Sequence, residues 1–135
     1  LGLMESRAQN MQNNRNMEKL KLTEEWDKTF PKSDKVDHSK VTFVNRFGIT
    51  LAADLYVPKI AVADKFPAIA VSGPFGAVKE QSSGLYAQTL AERGFLTIAF
   101  DPSFTGESSG QPRSVAYRHT RHLRLGRLCY QCSGQ

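Results

Sequence analysis

Hydrophobic and polar residues alternate through the middle of this chain in a pattern that predicts a β-hairpin. In residues 49–57 every second side chain is apolar, which is typical of a strand with one buried face. Residues 41–45 form a preceding strand, and residues 46–48 form the turn that connects the two. Pro58 ends the second strand, and a mostly polar linker follows it.

Two short apolar runs, with a helical segment between them, predict a strand-helix-strand unit. The runs are residues 68–71 and 95–100, and both lack alternation, as expected of parallel strands that helices cover on both faces. Residues 83–93 have helical character, and Gly94 is suited to the left-handed conformation that ends a helix. The side chains predicted to face inward from this helix are Leu85, Tyr86, Leu90 and Ala91.

The predicted order of elements is therefore strand, strand, strand, helix, strand. This order indicates an α/β protein in which an antiparallel hairpin leads into a parallel sheet with one βαβ unit. Ligands of such sheets bind at the carboxyl ends of the parallel strands. In this chain the loops at those ends are residues 72–76 and 101–110.

The charge of the chain is unevenly distributed along its 135 residues. Residues 1–110 hold 13 Lys and Arg against 13 Asp and Glu, so the whole net charge of +5 comes from the five arginines of residues 111–135. A neutral folded part argues against nucleic acid as a partner, since a binding surface for it would be basic. No apolar stretch has the roughly 20 residues that cross a bilayer, so we expect a cytoplasmic protein without a membrane partner.

Four segments of the chain occur together in one family. Residues 41–58, 72–81, 85–95 and 101–110 resemble, in order and spacing, the N-terminal part of the α/β-hydrolase superfamily, in the branch of dienelactone hydrolases and Xaa-Pro dipeptidyl-peptidase-like enzymes. The resemblance implies an incomplete α/β-hydrolase fold, and a small-molecule ester or peptide substrate for the full-length relatives of this serine hydrolase. It implies no cofactor.

The resemblance also divides the chain into three parts. Residues 1–34 are expected to be a polar, partly disordered leader, and residues 35–113 a partial α/β-hydrolase domain. Residues 114–135 form a basic tail without family character. Because this tail abruptly loses acids and periodicity, we expect it to be disordered or translated out of frame.

The two loops carry the candidate site residues that the resemblance implies. In the family the loop after the fourth strand resembles Asp-x-x-Gly-x-Gly-x-Ser-x-Gly, and here the matching residues are Asp101, Gly106, Ser108 and Gly110. Phe104 stands where a glycine is common. The loop after the third strand would help to form the oxyanion hole, and Phe75 or Gly76 would donate the backbone N–H because Pro74 has none.

Ser108 also lies in a sequence that spells the nucleophile motif Gly-x-Ser-x-Gly. That motif functions at a sharp turn between a strand and a helix, whereas Ser108 is preceded by a loop-like segment that contains Pro102. No acid follows Glu107, so His119 or His122 would have no later carboxylate to orient the imidazole. We therefore predict that Ser108 belongs to the loop structure and that the chain is inactive by itself.

Two other functions are open from the residues alone. His119, His122, Cys129 and Cys132 are zinc-ligand types, and the arginines around them could contact phosphate, although the spacing is short for a zinc finger. A nucleotide module is disfavoured because residues 72–76 match neither phosphate-binding glycine motif. The incomplete sheet is also expected to promote self-association or aggregation.

Overall fold

The computed structural model of the chain describes residues 18–59, 66–74 and 76–115. These residues form four strands and one helix: β1 (Val36–Val44), β2 (Thr50–Pro58), β3 (Ala68–Val71), α1 (Ser82–Ala91) and β4 (Leu96–Phe100). The predicted order of strand, strand, strand, helix, strand is therefore confirmed. Within the described ranges, no helix combines the length and the hydropathy needed to cross a membrane.

The four strands form one mixed sheet in the order β1-β2-β4-β3. β1 pairs with β2 and β2 with β4 in antiparallel fashion, whereas β3 and β4 are parallel. The chain therefore leaves the hairpin, forms the outer strand β3, crosses through α1 and returns between β2 and β3. Because β3 and β4 are parallel, the loops at their carboxyl ends lie at the same edge of the sheet.

The hairpin is longer than predicted and is buried on both faces. Val36 lies opposite Pro58 and Val44 lies opposite Thr50. The prediction of one buried face was wrong, because Asp54 and Tyr56, on the face opposite to the predicted one, are fully buried as well.

Two apolar clusters lie on opposite faces of the sheet. The cluster on the face covered by α1 consists of Val36, Tyr56, Ala87, Ala91 and Ala99, with Trp26 and Val71 packed against it. The cluster on the other face consists of Ala53, Ile98 and Phe100, with Val41, Phe43, Leu55 and Ala70 packed against it. The face covered by α1 also carries the polar groups of the candidate site.

α1 packs on the sheet through small residues, so the predicted inward stripe was wrong in part. Leu85 and Tyr86 are 46% and 64% exposed. The buried residues of the helix are instead Ser83, Gly84, Ala87, Gln88 and Ala91. A Cβ atom on Gly84 would lie 2.2 Å from the carbonyl oxygen of Lys79. Large apolar side chains are directed outward because the helix approaches its surroundings too closely for them.

Residues 18–35, called here the N-terminal strap, contain no helix or strand but pack against the α1 side of the sheet. The Trp26 indole N–H donates a hydrogen bond to the carbonyl of Phe30 at 2.7 Å, and its ring joins the apolar cluster beneath α1. The Gln88 side chain donates to the carbonyl of Pro31 at 3.0 Å and accepts from the N–H of Ser33 at 3.2 Å. The strap thus connects α1 to β1.

Candidate functional site

One buried carboxylate joins the loops that follow β3 and β4. Asp101 immediately follows β4, and its side chain is fully buried. Its Oδ1 accepts a hydrogen bond from the backbone N–H of Lys79 at 2.8 Å, and its Oδ2 accepts one from the backbone N–H of Glu107 at 3.0 Å. Asp101 therefore holds the two candidate loops in a fixed relation to each other.

The ammonium group of Lys79 occupies the space between these loops. Lys79 is 0% exposed, and its Nζ lies 2.9 Å from Asp101 Oδ2 and 2.7 Å from Glu107 Oε2, with a further contact to the Glu80 carboxylate. Burial alone would lower the pKa of Lys79, but the charge of Asp101 and the hydrogen bonds to Glu107 and Glu80 raise it above its ordinary value. Lys79 is therefore a permanently charged anchor and not a base or nucleophile.

The same ionic network continues into β1 and the N-terminal strap. Lys40 Nζ lies 2.8 Å from Glu107 Oε2 and 3.0 Å from Asp27 Oδ2. Lys28 Nζ in turn lies 2.6 Å from Asp27 Oδ1 and 3.2 Å from Asp54 Oδ2. Three lysines thus link the strap and the hairpin to the loop after β4.

His38 is also part of this network. Its Nε2 lies 2.8 Å from Asp54 Oδ1, and its ring contacts the rings of Trp26 and Tyr56 at 5.2 Å and 5.1 Å between centroids. The hydroxyl of Tyr56 is buried and has no hydrogen-bond partner among the described residues. Burial and the carboxylate of Asp54 both raise the pKa of Tyr56, so the phenol stays protonated.

Three carboxylates of the network are close enough together to resemble a metal site. Ligand oxygens of Asp27, Glu80 and Glu107 all lie within 4.8 Å of one another. The ammonium groups of Lys40 and Lys79, however, contact these carboxylates directly. The arrangement is therefore a lysine-compensated cluster, in which the ammonium groups take the role that a metal cation would have.

Two of these carboxylates have strongly lowered pKa values. Burial would raise the pKa of Glu107, but hydrogen bonds from Lys40, Lys79 and the backbone N–H of Thr23 outweigh it and lower the pKa to about 2. Burial would likewise raise the pKa of Asp27, and the contacts to Lys28 and Lys40 lower it to about 2. Both groups therefore stay ionised well below neutral pH.

Acid is expected to destabilise the chain between about pH 5 and pH 2. The folded pKa values of Asp27 and Glu107 lie below the unfolded values of roughly 3.9 and 4.3, so their stabilisation is present above these values and is lost as the pH falls through about 2. We expect a loss on the order of 1 kcal/mol per carboxylate, because solvent screens these partly exposed groups. Urea unfolding followed by the fluorescence of Trp26, the single tryptophan, measures it across this range.

The matched variant for this measurement is Glu107→Gln. It removes one titrating group, so the decrease in the free energy of unfolding between pH 5 and pH 2 should be smaller than in the parent chain. An unchanged pH dependence in Glu107→Gln would show that Glu107 does not titrate with the lowered pKa described above.

The structure places Ser108 in the interior of the loop after β4. The side chain is 2% exposed, its Oγ donates a hydrogen bond to the carbonyl of Asp101 at 2.8 Å, and it accepts one from the backbone N–H of Ala52 at 2.9 Å. The hydroxyl proton therefore already has an acceptor in the backbone. This geometry stabilises the contact between the loop and β2, and it leaves the oxygen inaccessible to a substrate.

The glycines of the loop pattern have a packing reason. Gly106 has φ +55°, and a Cβ atom there would lie 2.2 Å from Asp101 Oδ2. Gly110 has φ +115°, and a Cβ atom there would lie 2.4 Å from the ring of Phe104. Phe104, at the position where the family pattern favours glycine, itself has φ +70°. The left-handed backbone is thus retained here, although a side chain is present.

Arg113 closes the loop from its far end, a role that the sequence did not indicate. Its guanidinium donates hydrogen bonds to the carbonyl oxygens of Gly106, Ser108 and Gly110. Because three carbonyls of one loop converge on a single side chain, Arg113 holds the loop in its folded path. This role of Arg113 is visible only in the structure, where the three carbonyls lie close together.

Several predicted site residues lie outside the described residues. They are Phe75, His119, His122, Cys129 and Cys132. Gly76 is described: it is exposed and has φ +83°. The carbonyl of Pro74, two residues before it, accepts a hydrogen bond from the N–H of Ala77 at 3.1 Å. The oxyanion-hole role of Phe75 or Gly76 and the zinc alternative therefore stay predictions.

Comparison with known proteins identifies similar chains that are much longer. Over 97 residues the chain is 75% identical to the uncharacterized protein PA2218 of Pseudomonas aeruginosa, which covers 72% of this chain and 26% of PA2218. YcjY of Escherichia coli is 45% identical over 87 residues, which covers 62% of this chain and 28% of YcjY. The chain thus spans about a quarter of the length of these relatives. No protein-family model matches it.

Solved structures also match this chain over only part of their own length. The crystal structure of PA2218 matches with a TM-score of 0.72 and 74% identity over 73% of this chain and 31% of that chain. The α/β hydrolase GrgF from Penicillium sp. sh18 matches with a TM-score of 0.60 and 24% identity over 73% of this chain and 33% of that chain. The likeness to GrgF is one of fold.

Proposed function

We propose that this chain, which has a partial α/β-hydrolase fold, provides the first strands and the oxyanion loop of a serine hydrolase for carboxylic ester or peptide bonds. The order β1-β2-β4-β3 brings the loops after β3 and β4 to one edge of the sheet, where Asp101 links them. A fixed loop of this kind can aim backbone N–H groups at developing negative charge.

We also propose that this polypeptide does not carry out turnover by itself. The observation that carries this proposal is the environment of Ser108, whose buried hydroxyl donates to the Asp101 carbonyl. A serine nucleophile needs an exposed oxygen, a base within hydrogen-bond reach and a group that orients the base. His38, the histidine that the structure describes, instead contacts Asp54. The remaining catalytic groups would come from family segments that have no match in this chain.

A fluorophosphonate probe tests this proposal directly. We expect no covalent labelling of Ser108 and no turnover of a generic acetate ester above the buffer rate, because the Ser108 oxygen is buried. The control is Ser108→Ala, which should leave both readouts at background and lower the free energy of unfolding by about 1–3 kcal/mol through the lost buried hydrogen bonds. An adduct on Ser108 that disappears in Ser108→Ala would refute the proposal.

The same experiment also tests whether another residue acts as the nucleophile. Ester turnover that persists in Ser108→Ala, and that co-purifies with the chain through successive columns, would place the nucleophile at another residue and would contradict the inactivity of this polypeptide. The assignment to the dienelactone hydrolase and dipeptidyl-peptidase-like branch stays a prediction, as does the preference for ester or peptide bonds.

A further inference from the structure

The N-terminal strap contacts both of the loops that follow β3 and β4. The backbone N–H and the hydroxyl of Thr29 both donate to the carbonyl of Glu80, at 3.1 Å and 3.3 Å, at the end of the loop after β3. The backbone N–H of Thr23 donates to Glu107 Oε1 at 2.7 Å, in the loop after β4. Residues 23–29 of the strap therefore bridge the two loops that carry the candidate site.

The strap is held in place by contacts that do not involve these loops. Toward its start, the backbone N–H of Glu18 donates to Thr50 Oγ1 at 3.0 Å, at the first residue of β2. Toward its end, Phe30 is buried and its ring contacts the ring of Trp26 at 5.6 Å between centroids. Trp26 in turn packs against the cluster beneath α1. Because both ends of the strap are fixed to the sheet and the helix, its middle has a defined position against which the loops are held.

A carboxylate of the strap also orients the charges between the loops. Asp27 Oδ2 lies 3.0 Å from Lys40 Nζ, and the same ammonium group lies 2.8 Å from Glu107 Oε2. Glu107 Oε2 also lies 2.7 Å from Lys79 Nζ, in the loop after β3. Removing Asp27 would take a countercharge from both Lys28 and Lys40, which share it. The position of Glu107 therefore depends on the strap through Lys40 as well as through the backbone.

These polar contacts exceed what a cover for the apolar cluster requires. The two aromatic residues of the strap, Trp26 and Phe30, provide apolar contacts by themselves. Thr23, Asp27 and Thr29 contact polar or charged groups instead, and these groups belong to the two loops or to the lysines that bind the loops. The strap thus has one set of residues that fixes it to the fold and another set that reaches the candidate site.

We propose that the N-terminal strap is a positioning element of the candidate site. Through Thr23, Asp27 and Thr29 it holds the loop after β3 and the loop after β4 at a fixed separation from outside, whereas Asp101 connects them from inside. The importance of this separation rests on the proposed function, in which the loop after β3 aims backbone N–H groups at developing negative charge. Small displacements of such donors are costly, since catalysis depends on their alignment.

Amide hydrogen exchange of the parent 135-residue chain, followed by NMR, tests this role without any substitution. The N–H groups of Thr23 and Thr29 form the strap contacts, and those of Lys79 and Glu107 donate to Asp101 within the loops. If the strap positions the loops, release of the strap also opens the loops. We therefore expect the four protection factors to agree within about tenfold.

The variant Asp27→Ala tests the same role by removing the shared countercharge. We expect the amides of Lys79 and Glu107 to exchange about tenfold faster or more, together with those of Thr23 and Thr29. The NMR shifts of the Lys79 and Glu107 amides should also change, because they report the hydrogen bonds to Asp101. Asp27→Glu restores the carboxylate and should return the rates and shifts toward the parent values.

Two further variants complete the measurement. Glu25→Gln is the matched control, because it removes the same charge from an exposed residue of the strap, and it should leave the loop amides at the parent rates. Thr29→Val removes only the exposed hydroxyl that donates to the Glu80 carbonyl, so folding does not depend on it. It should accelerate exchange of the Lys79 amide by about two- to tenfold.

Two results would overturn the positioning role. The first is that the amides of Lys79 and Glu107 in the parent chain are more than about tenfold better protected than those of Thr23 and Thr29, since the loops would then stay closed without the strap. The second is that Asp27→Ala accelerates only the amides of the paired strands β2 and β4, which is the result of a purely structural contribution. Labelling of Ser108 by the fluorophosphonate probe would refute the proposed function without changing these exchange rates, so the two failures are distinguishable.

Discussion

Replacing Lys79 with methionine is expected to lower the free energy of unfolding by about 3–5 kcal/mol, the usual cost of removing one partner from a buried ion pair. Lys79 and Asp101 are both 0% exposed at the side chain. Methionine fills a similar volume but leaves the carboxylate of Asp101 buried with only two backbone N–H donors. Because small domains have only about 5–15 kcal/mol of stability, this variant should unfold at a much lower urea concentration.

The matched control is Lys59→Met. The Lys59 side chain is 48% exposed and lies 3.7 Å from Asp37, so its loss should change the free energy of unfolding by less than about 1 kcal/mol. Urea unfolding monitored by Trp26 fluorescence compares the two variants under identical conditions. Equal effects of Lys79→Met and Lys59→Met would show that the buried ionic network does not stabilise the fold.

The second large effect is expected for Gly106→Ala, which should cost about 3 kcal/mol or more. The new Cβ would lie 2.2 Å from Asp101 Oδ2, and the residue would keep a left-handed φ of +55°. The left-handed backbone costs roughly 1–2 kcal/mol for a residue with a side chain, and overpacking adds roughly 1–3 kcal/mol. Asp101 cannot shift freely, because it also binds Lys79 and the backbone of Glu107.

Gly48→Ala separates the cost of the left-handed backbone from the cost of overpacking. Gly48 has φ +77°, and a Cβ there would have no heavy atom within 4 Å. Its substitution should therefore show only the backbone cost, measured by the same urea titration. If Gly48→Ala and Gly106→Ala lose the same stability, the close approach of Gly106 to Asp101 contributes nothing measurable.

Features that depend on neighbouring residues could be predicted from the sequence. The alternation in residues 49–57 and the apolar runs at residues 68–71 and 95–100 follow from side-chain periodicity, and they predicted the strands in the correct order. The glycine pattern of the loop after β4 was given by the family resemblance, and the structure shows that Gly106 and Gly110 have positive φ. Each of these signals is contained in a short stretch of chain.

Features that depend on distant residues could not be predicted in the same way. No local pattern indicates that Lys79 is buried, because its countercharges Asp101 and Glu107 lie 22 and 28 residues further along the chain. The outward position of Tyr86 was missed because the packing of α1 is governed by the approach of Gly84 to Lys79 and Phe30. A partial signal for the network exists in the hairpin, where Lys40 lies directly opposite Asp54.

By itself, then, the amino-acid sequence determined the strands and the helix, because hydrophobic periodicity and backbone hydrogen bonding act over a few residues. Tertiary structure alone decided that Lys79 and Asp101 would form a buried ion pair, and that Ser108 would direct its hydroxyl into the backbone. The physical reason is that a buried charge or hydroxyl is costly without a partner, and the partners of Lys79 and Ser108 include groups on other elements, namely Asp101 for Lys79 and the backbone of Ala52 for Ser108. Which element supplies the partner is decided only when the sheet is assembled.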